Sequence, residues 1–356
     1  MIWGRPSARV DERDTMFARA ARRPGTAAYA EYYGRHPGRR AEDDRLRAMP
    51  ALLEPGGRAF VASIAADAGG WFRRIDDWTA GPDVAALADV FAGSGDLASL
   101  LKASALSLGA VAAGCCGVDP VWAYSHKGRF DDDYGREIDA TRRPSALVFL
   151  VEMDHAEMRR APLAEAIRES ARQYFRAAVV ARTIEAALRR AGIDALAHYD
   201  AHYEVVLPPM AVAAGLGELG RHNLLIADRF GTRVRIGAVT LPAALRADGR
   251  RDLGVRAFCD HCRKCADNCP PRALSAGAPV TVNGVEKWPT DVERCYRYWR
   301  LMGTDCGICM AACPFSHRDN AFHNLVRRLV RALPGFAPAF VRADDLLYGR
   351  AWKGRP

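Results

Sequence analysis

The stretch Cys259-Asp-His-Cys262-Arg-Lys-Cys265-Ala-Asp-Asn-Cys269-Pro sets four thiols at spacings of three, three and four, with a proline behind the last. A second stretch, Cys306-Gly-Ile-Cys309-Met-Ala-Ala-Cys313-Pro, repeats the later spacings, and Cys295 stands eleven residues upstream of it. Eight of the ten cysteines therefore fall between residues 259 and 313. A reducing cytoplasm keeps thiols open, so disulfides are not expected, and metal is the better reason for such density. Thiolate is the soft ligand that iron–sulfur clusters require.

Each C-x-x-C turn presents two thiolates to one centre, while the cysteine before proline leaves in another direction and ligates the other centre, as in two-cluster ferredoxins. Crossed ligation follows as the expectation. One [4Fe–4S] cube takes Cys259, Cys262, Cys265 and Cys313; the other takes Cys269, Cys295, Cys306 and Cys309. Four-cysteine zinc sites are the alternative, but zinc usually shows paired C-x-x-C hooks and has no need of the longer run closed by proline. Cys115 and Cys116 are adjacent in a predicted strand, lack ligand spacing, and read as buried bystanders.

The elements around these thiols divide the chain. Residues 1–100 read as a mostly helical segment, 101–250 as an α+β catalytic domain, and 251–356 as the cluster module with a C-terminal tail. Short strands are expected at Gly109–Val118 and at Trp122–Ser125, and a stronger one at Ser145–Met153, apolar and bounded by Pro144. A long amphipathic helix is predicted from Pro162 to Arg190, ending before Gly192, with Ile167, Ala171, Tyr174, Ala178, Ala181 and Leu188 along its inward stripe. Ala211–Ala227 should start as helix, turn through glycines and pass into a strand, and Arg233–Leu241 is another strand. Between the two cysteine motifs, alternation about Asn283-Gly284 signals a hairpin that would fold the second motif back onto the first.

The bulk composition restricts the reading. The chain has 356 residues, 49% hydrophobic and 26% charged, with no apolar run long enough for a membrane span. Its N-terminus has no hydrophobic export signal behind Arg22-Arg23, so a cytoplasmic protein is expected. A net charge of +9 would suit a polyanion, yet five lysines against 46 arginines look like a coding bias rather than a basic patch, and nucleic acid is not the expected partner.

Ala214–Leu245 followed by the dicluster module resembles the corrinoid-dependent reductive dehalogenases, and so do the N-terminal Asp11–Pro50 and the tail Pro334–Arg350. The resemblance implies a nitroreductase-like α+β domain holding a base-off cobalamin against a ferredoxin-like two-[4Fe–4S] module. It implies two-electron reductive removal of halide from a small organohalide. It places a proton-donating tyrosine at Tyr174 and its cationic partner at Arg235, with Arg233 as a rival that strand alternation cannot separate. It also suggests that Gly215, Gly217, Gly220 and Arg221 line the corrin, although a tight helix-to-strand turn uses the same glycines. The Asp-x-His-x-x-Gly signature that gives cobalt a histidine is broken, because Val205 stands where glycine should follow Asp200 and His202. Tyr32, Tyr33, Trp122, Trp288, Tyr296, Tyr298 and Trp299 are aromatics from which a substrate pocket could be built. An external ferredoxin or flavin reductase is the expected electron donor.

Two other readings compete. Epoxyqueuosine reductase shares the cobalamin domain and the dicluster module, but this chain reads Gly217-Glu-Leu-Gly-Arg-His-Asn223 where that family resembles Gly-Trp-x-Gly-Lys-Asn. An electron carrier without a catalytic cofactor would need only the module, not the 250 residues before it.

Overall fold

The computed structural model describes residues 4–78, 84–93 and 95–352. At its centre is a four-stranded antiparallel sheet made of β1 (Ala112–Gly117), β2 (Ser145–Glu152), β3 (Leu196–His198) and β6 (Val234–Leu241), in the order β1-β2-β6-β3. Two small hairpins, β4 (Gly217–Leu219) with β5 (Leu225–Ala227) and β7 (Val280–Val282) with β8 (Val285–Lys287), complete the strands.

β2 is an almost unbroken apolar run because both faces of the sheet are covered. Leu147, Phe149 and Val151 point to one side, where they meet α4 (Ala164–Arg190) through Ala177, Ala181 and Ile184. Helices α1 (Ala62–Asp77), α2 (Val84–Ala92) and α3 (Leu97–Ser107) thicken that layer. Ala146, Val148 and Leu150 point the other way, against α5 (Leu207–Ala213), Trp122 and Phe230. A two-sided core removes the polar alternation that a half-exposed strand would show.

The long helix begins two residues later than expected, at Ala164, and ends at Arg190 as read from Gly192. The helical reading of 82–106 separates into α2 and α3, with Asp96 capping α3 through Ser99 N at 3.1 Å; residues 82, 83 and 94 lie outside those described. Trp122–Ser125 is not a strand. Pro120–Trp122 forms a 3₁₀ turn capped by Asp119, and only Ala123 makes a single bridge, to Val205.

The N-terminal segment is packed in two places rather than one. Arg19 pairs with Asp43 at 2.6 Å and with Glu293 at 2.5 Å, and Arg300 Nε donates to Pro50 O at 2.7 Å, which ties this part of the chain to α7 (Val292–Met302), while Arg5 pairs with Asp119 and Gly128 N donates to Glu12 Oε2. Of the helices after residue 61, α1 and α2 pack on α4, and α3 reaches β1 and β2. Asn283 (φ 48°) and Gly284 (φ 75°) form the expected left-handed turn of the β7–β8 hairpin. Among the described residues no helix is long and apolar enough to cross a membrane.

Gly114 in β1 lies under α5 so closely that an added Cβ would stand 2.3 Å from Ala214 O. Gly114→Ala should destabilise the fold by about 1–3 kcal/mol, since backbone cannot yield as a side chain can. Thermal unfolding followed by circular dichroism measures it; an unchanged midpoint would show that the layers slide freely.

Candidate active site

Cys259 and Cys262 lie on α6 (Val255–Cys262), a helix that starts after Gly254 and stops because Arg263 adopts φ 55°. The short helix Lys264–Asp267 carries Cys265, and Cys269 follows it. On the other side of the hairpin, Cys295 is in α7, Cys306 sits at φ 60°, and Cys309 lies on the turn Ile308–Ala311. The hairpin has brought the two motifs together. Cys259, Cys262, Cys265 and Cys313 line one common cavity. Cys269 packs with Cys295 and Cys309 in a second group, which Cys265 also borders.

Electrostatics separates the same two sets. Burial, and then the charges of Cys259 and Cys262, push the Cys313 thiol well above its ordinary range. Cys306 is raised to about 12 by burial, with Cys295 and Cys269 as its thiol neighbours. Cys309 responds to all three of its set and also to Cys313, so it stands where the two sets meet. Eight crowded thiols could not all ionise unaided; a cationic centre in each set would offset both burial and mutual repulsion. Among the described residues no three His, Cys, Asp or Glu side chains are close enough to share a single ion.

Arg221 is held by the loops around the first set. Its guanidinium donates to Cys259 O at 2.9 Å, Ser275 O at 3.0 Å and Gly277 O at 2.9 Å, and lies 4.6 Å from the centre of the Trp288 ring. The turn glycines are likewise occupied by protein. A Cβ on Gly215 would meet Gly249 O at 2.5 Å, one on Gly217 Ile226 O at 2.4 Å, and one on Gly220 the Ile226 side chain at 2.6 Å. Close approach is needed here, but what approaches is the chain itself.

Tyr174 and Arg235, 61 residues apart in sequence, meet. The Arg235 guanidinium carbon lies 4.4 Å from the centre of the Tyr174 ring, with Arg235 on β6 and Tyr174 on the sheet-facing side of α4. Arg235 is held from behind: it donates to Asp305 Oδ2 at 3.0 Å and to the Ser170 hydroxyl, which itself donates to Asp305 Oδ2 at 2.5 Å. Ser170 sits one helical turn before Tyr174, so one helix face carries both contacts. Asp305 immediately precedes Cys306, and Thr304 anchors that turn by donating to Pro162 O at 2.8 Å. Arg233, the rival, is buried elsewhere; it donates to Glu152 Oε1, Met153 O and Ser316 O.

Burial raises the Tyr174 hydroxyl above an ordinary tyrosine, Arg235 works in the opposite direction, and Asp200 and Asp305 add to the rise. The Tyr174 ring is half-buried, and its hydroxyl has no hydrogen-bond partner among the described residues. Nε of Arg235 and Oδ1 of Asp305 are also buried without partners. Sequence reasoning missed several neighbours. Burial opposes the charge of Arg129, but Asp200, Tyr203 and Tyr174 hold it. Tyr203, also raised by burial, faces Arg129 and Asp200, and its ring lies 5.8 Å from that of Tyr124. Loop residues with no periodicity give no signal for such a meeting. The aromatics expected to build a pocket are scattered: Tyr32 and Tyr33 meet edge to face, Trp288 lies under Arg221, and Tyr296 and Trp299 pack on Phe17. His202 is stacked between Tyr199 and Phe130.

The family model described as a 4Fe-4S dicluster domain matches residues 258–317, which include all eight clustered cysteines. The tetrachloroethene reductive dehalogenase of Desulfitobacterium hafniense is 35% identical over 213 residues, covering 56% of this chain and 38% of that protein. That of Sulfurospirillum multivorans is 34% identical over 160 residues, covering 41% of this chain and 32% of its own. The structure of the catabolic reductive dehalogenase NpRdhA superposes with a TM-score of 0.74 at 26% identity, over 98% of this chain and 48% of that one. The chain is a homologue of the reductive dehalogenases. Epoxyqueuosine reductase, 26% identical over 120 residues in Lactococcus garvieae, is a more distant relative. This homologue spans less than half the length of the dehalogenases it matches.

If the two sets each hold one cluster, Cys313→Ala and Cys259→Ala should abolish the same electron paramagnetic resonance signal of the reduced protein, and Cys306→Ala the other. Iron content should fall by about half in each. Loss of the Cys306 signal in Cys313→Ala would instead show uncrossed ligation.

Proposed function

We propose that this protein is a corrinoid-dependent reductive dehalogenase whose two [4Fe–4S] clusters, held by the crossed cysteine sets, feed a two-electron reduction of an organohalide. The observation that carries the reading is the Tyr174–Arg235–Asp305 arrangement, which ties a phenol, its cation and the cysteine module into one site in a homologue of these enzymes.

The residues suit the absent group. A corrinoid with no protein ligand beneath cobalt asks for no histidine, and the site beside Tyr174 is incomplete in itself: a phenol hydroxyl, an arginine Nε and a carboxylate oxygen lack partners there. A polar-edged macrocycle and its substrate would complete it, with Tyr174 and Arg235 on the substrate side. When bound, the corrinoid supplies cobalt(I), a strong nucleophile and reductant.

The reaction R–X + 2e⁻ + H⁺ → R–H + X⁻ leaves the chain three tasks. The cysteine sets must pass electrons singly. The site must keep water away from the reacting carbon. Tyr174 must give up its hydroxyl proton to that carbon, and Arg235 stabilises the phenolate left behind. Asp305 and Ser170 hold the guanidinium over the ring so that its charge acts where the phenolate forms. The Tyr174 acid form is present below its pKa and lost above it. Because burial raises that pKa, turnover should not decline on the alkaline side until well beyond an ordinary tyrosine.

Tyr174→Phe should keep both clusters and the corrin spectrum while lowering halide release about 100-fold or more. Anaerobic reconstitution with iron, sulfide and cobalamin, followed by halide release from a panel of halogenated phenols and alkanes, measures it. Retained turnover removes Tyr174 from the donor role, and failure to bind cobalamin at all defeats the reading. Asp305→Asn keeps an acceptor for Arg235 but removes a charge that raises the Tyr174 pKa. The alkaline limb should therefore move to lower pH; a limb that stays or moves upward shows that Asp305 does not act on Tyr174.

A further inference from the structure

The catalytic residues sit beside the second cysteine set, because Asp305 precedes Cys306. None of them lines the cavity of the first set, and what covers that cavity is unusual. Among the described residues nineteen large apolar side chains are exposed, and eight of these lie on one helical hairpin, α8 (Ala321–Ala332) and α9 (Ala337–Tyr348) with the turn between them. Phe322, Leu325 and Leu329 recur at spacings of three and four, which places them on one face of α8, and Leu333 caps the helix. Leu346 is 87% and Leu347 63% exposed on α9. A contiguous apolar surface of this kind marks an interaction site rather than chance exposure.

Between the two helices runs a groove lined by Phe322, Phe340, Leu347 and Tyr348, with Phe258 and Phe315 in its wall. Phe258 and Phe315 also line the cavity of the first cysteine set, and Phe258 directly precedes Cys259. Arg327 fastens this hairpin to the cysteine loop by donating to Phe315 O at 3.0 Å and His317 O at 2.6 Å. The groove is thus separated from the first set by single side chains.

Charge decides what fits. Arg328, Arg331 and Arg342 are exposed on these helices and form no salt bridge among the described residues. Residues 317–352 hold six arginines against three aspartates. A second copy of this chain, itself at +9, would bring like charges together on the same patch. An acidic partner would not.

We infer that the α8–α9 face is the docking surface for a small acidic electron-carrier protein, which delivers electrons one at a time to the first cysteine set. The inference rests on the proposed clusters and names the partner of their outer end. Electrons then run from the carrier to the first set, to the second set, and to the site of Tyr174. Apolar contact gives a small, short-lived interface of the kind redox partners use, and the arginines steer the encounter.

The test follows cluster bleaching near 400 nm by stopped flow, with a reduced acidic two-[4Fe–4S] ferredoxin as one donor and dithionite as the other. With ferredoxin, reduction of the wild type should slow as salt rises. Arg328→Glu/Arg331→Glu and, separately, Leu325→Gln/Leu346→Gln should slow it at least tenfold at low salt, while dithionite reduces every variant at the wild-type rate. Equal ferredoxin rates in all proteins overturn the inference. So does a wild-type dimer in sedimentation that the leucine variant dissolves, which would make the face a self-interface, or wild-type binding to anionic vesicles that the arginine variant loses. Dithionite bleaching and halide release driven by titanium(III) citrate report on the clusters and the reaction without any partner. A fault in the docking surface is therefore distinguishable from a fault in the proposed function, and a chain that assembles no cluster overturns both.

Discussion

The contact between Arg235 and Asp305 joins the two halves of this protein. Arg235 belongs to the sheet, Asp305 to the turn that carries Cys306, and the hydrogen bond between them at 3.0 Å is made deep in the fold. A guanidinium in such a place needs a carboxylate, since an unpaired buried charge is strongly unfavourable. The carboxylate in turn needs the turn at Thr304–Cys306 to be where it is. The position of the cysteine module relative to Tyr174 is thereby constrained by charge as well as by packing.

Two further consequences follow from that joint. Ser170 bridges Arg235 and Asp305 from the same face of α4 that presents Tyr174, so the helix, the strand and the cysteine turn meet at one point. The second cysteine set, which includes Cys306 and Cys309, is the one next to this point. The first set lies behind Phe258 and Phe315, beneath an apolar hairpin rimmed with arginine. Under the proposed function the two centres would need distinct inner and outer ends, and the antiparallel return of the β7–β8 hairpin sets the two cysteine motifs side by side.

Much of this was legible in the chain before any coordinates. Cysteine spacing announced two four-thiol sets, because C-x-x-C turns have few stable uses and the proline after the last cysteine redirects it. Asn283-Gly284 announced the hairpin, since both residues tolerate left-handed backbone. The apolar stripe of α4 and the runs of β2 and β6 announced themselves by burial. Other readings depend on neighbours that only the fold supplies. Sequence cannot say which bodies approach the glycines of the 215–220 turn; in the fold Gly249 and Ile226 lie close to them. Nor can sequence show that Arg221 clamps the Cys259 loop, a contact between residues 38 positions apart.

By itself the sequence determined the two cysteine motifs of the dicluster domain, the covered sheet and the long helix, since each is encoded by local spacing and periodicity. Tertiary structure decided which arginine faces Tyr174. Arg233 and Arg235 have the same strand parity and chemistry, and only the places of Glu152 and Asp305 in space assign one to each. It also decided that Asp200, Arg129, Tyr124 and Tyr203 lie in that neighbourhood, and that the α8–α9 stripe is exposed rather than buried. Loop residues carry no periodic signal, and an amphipathic helix reads the same whether its apolar face meets a core or a partner.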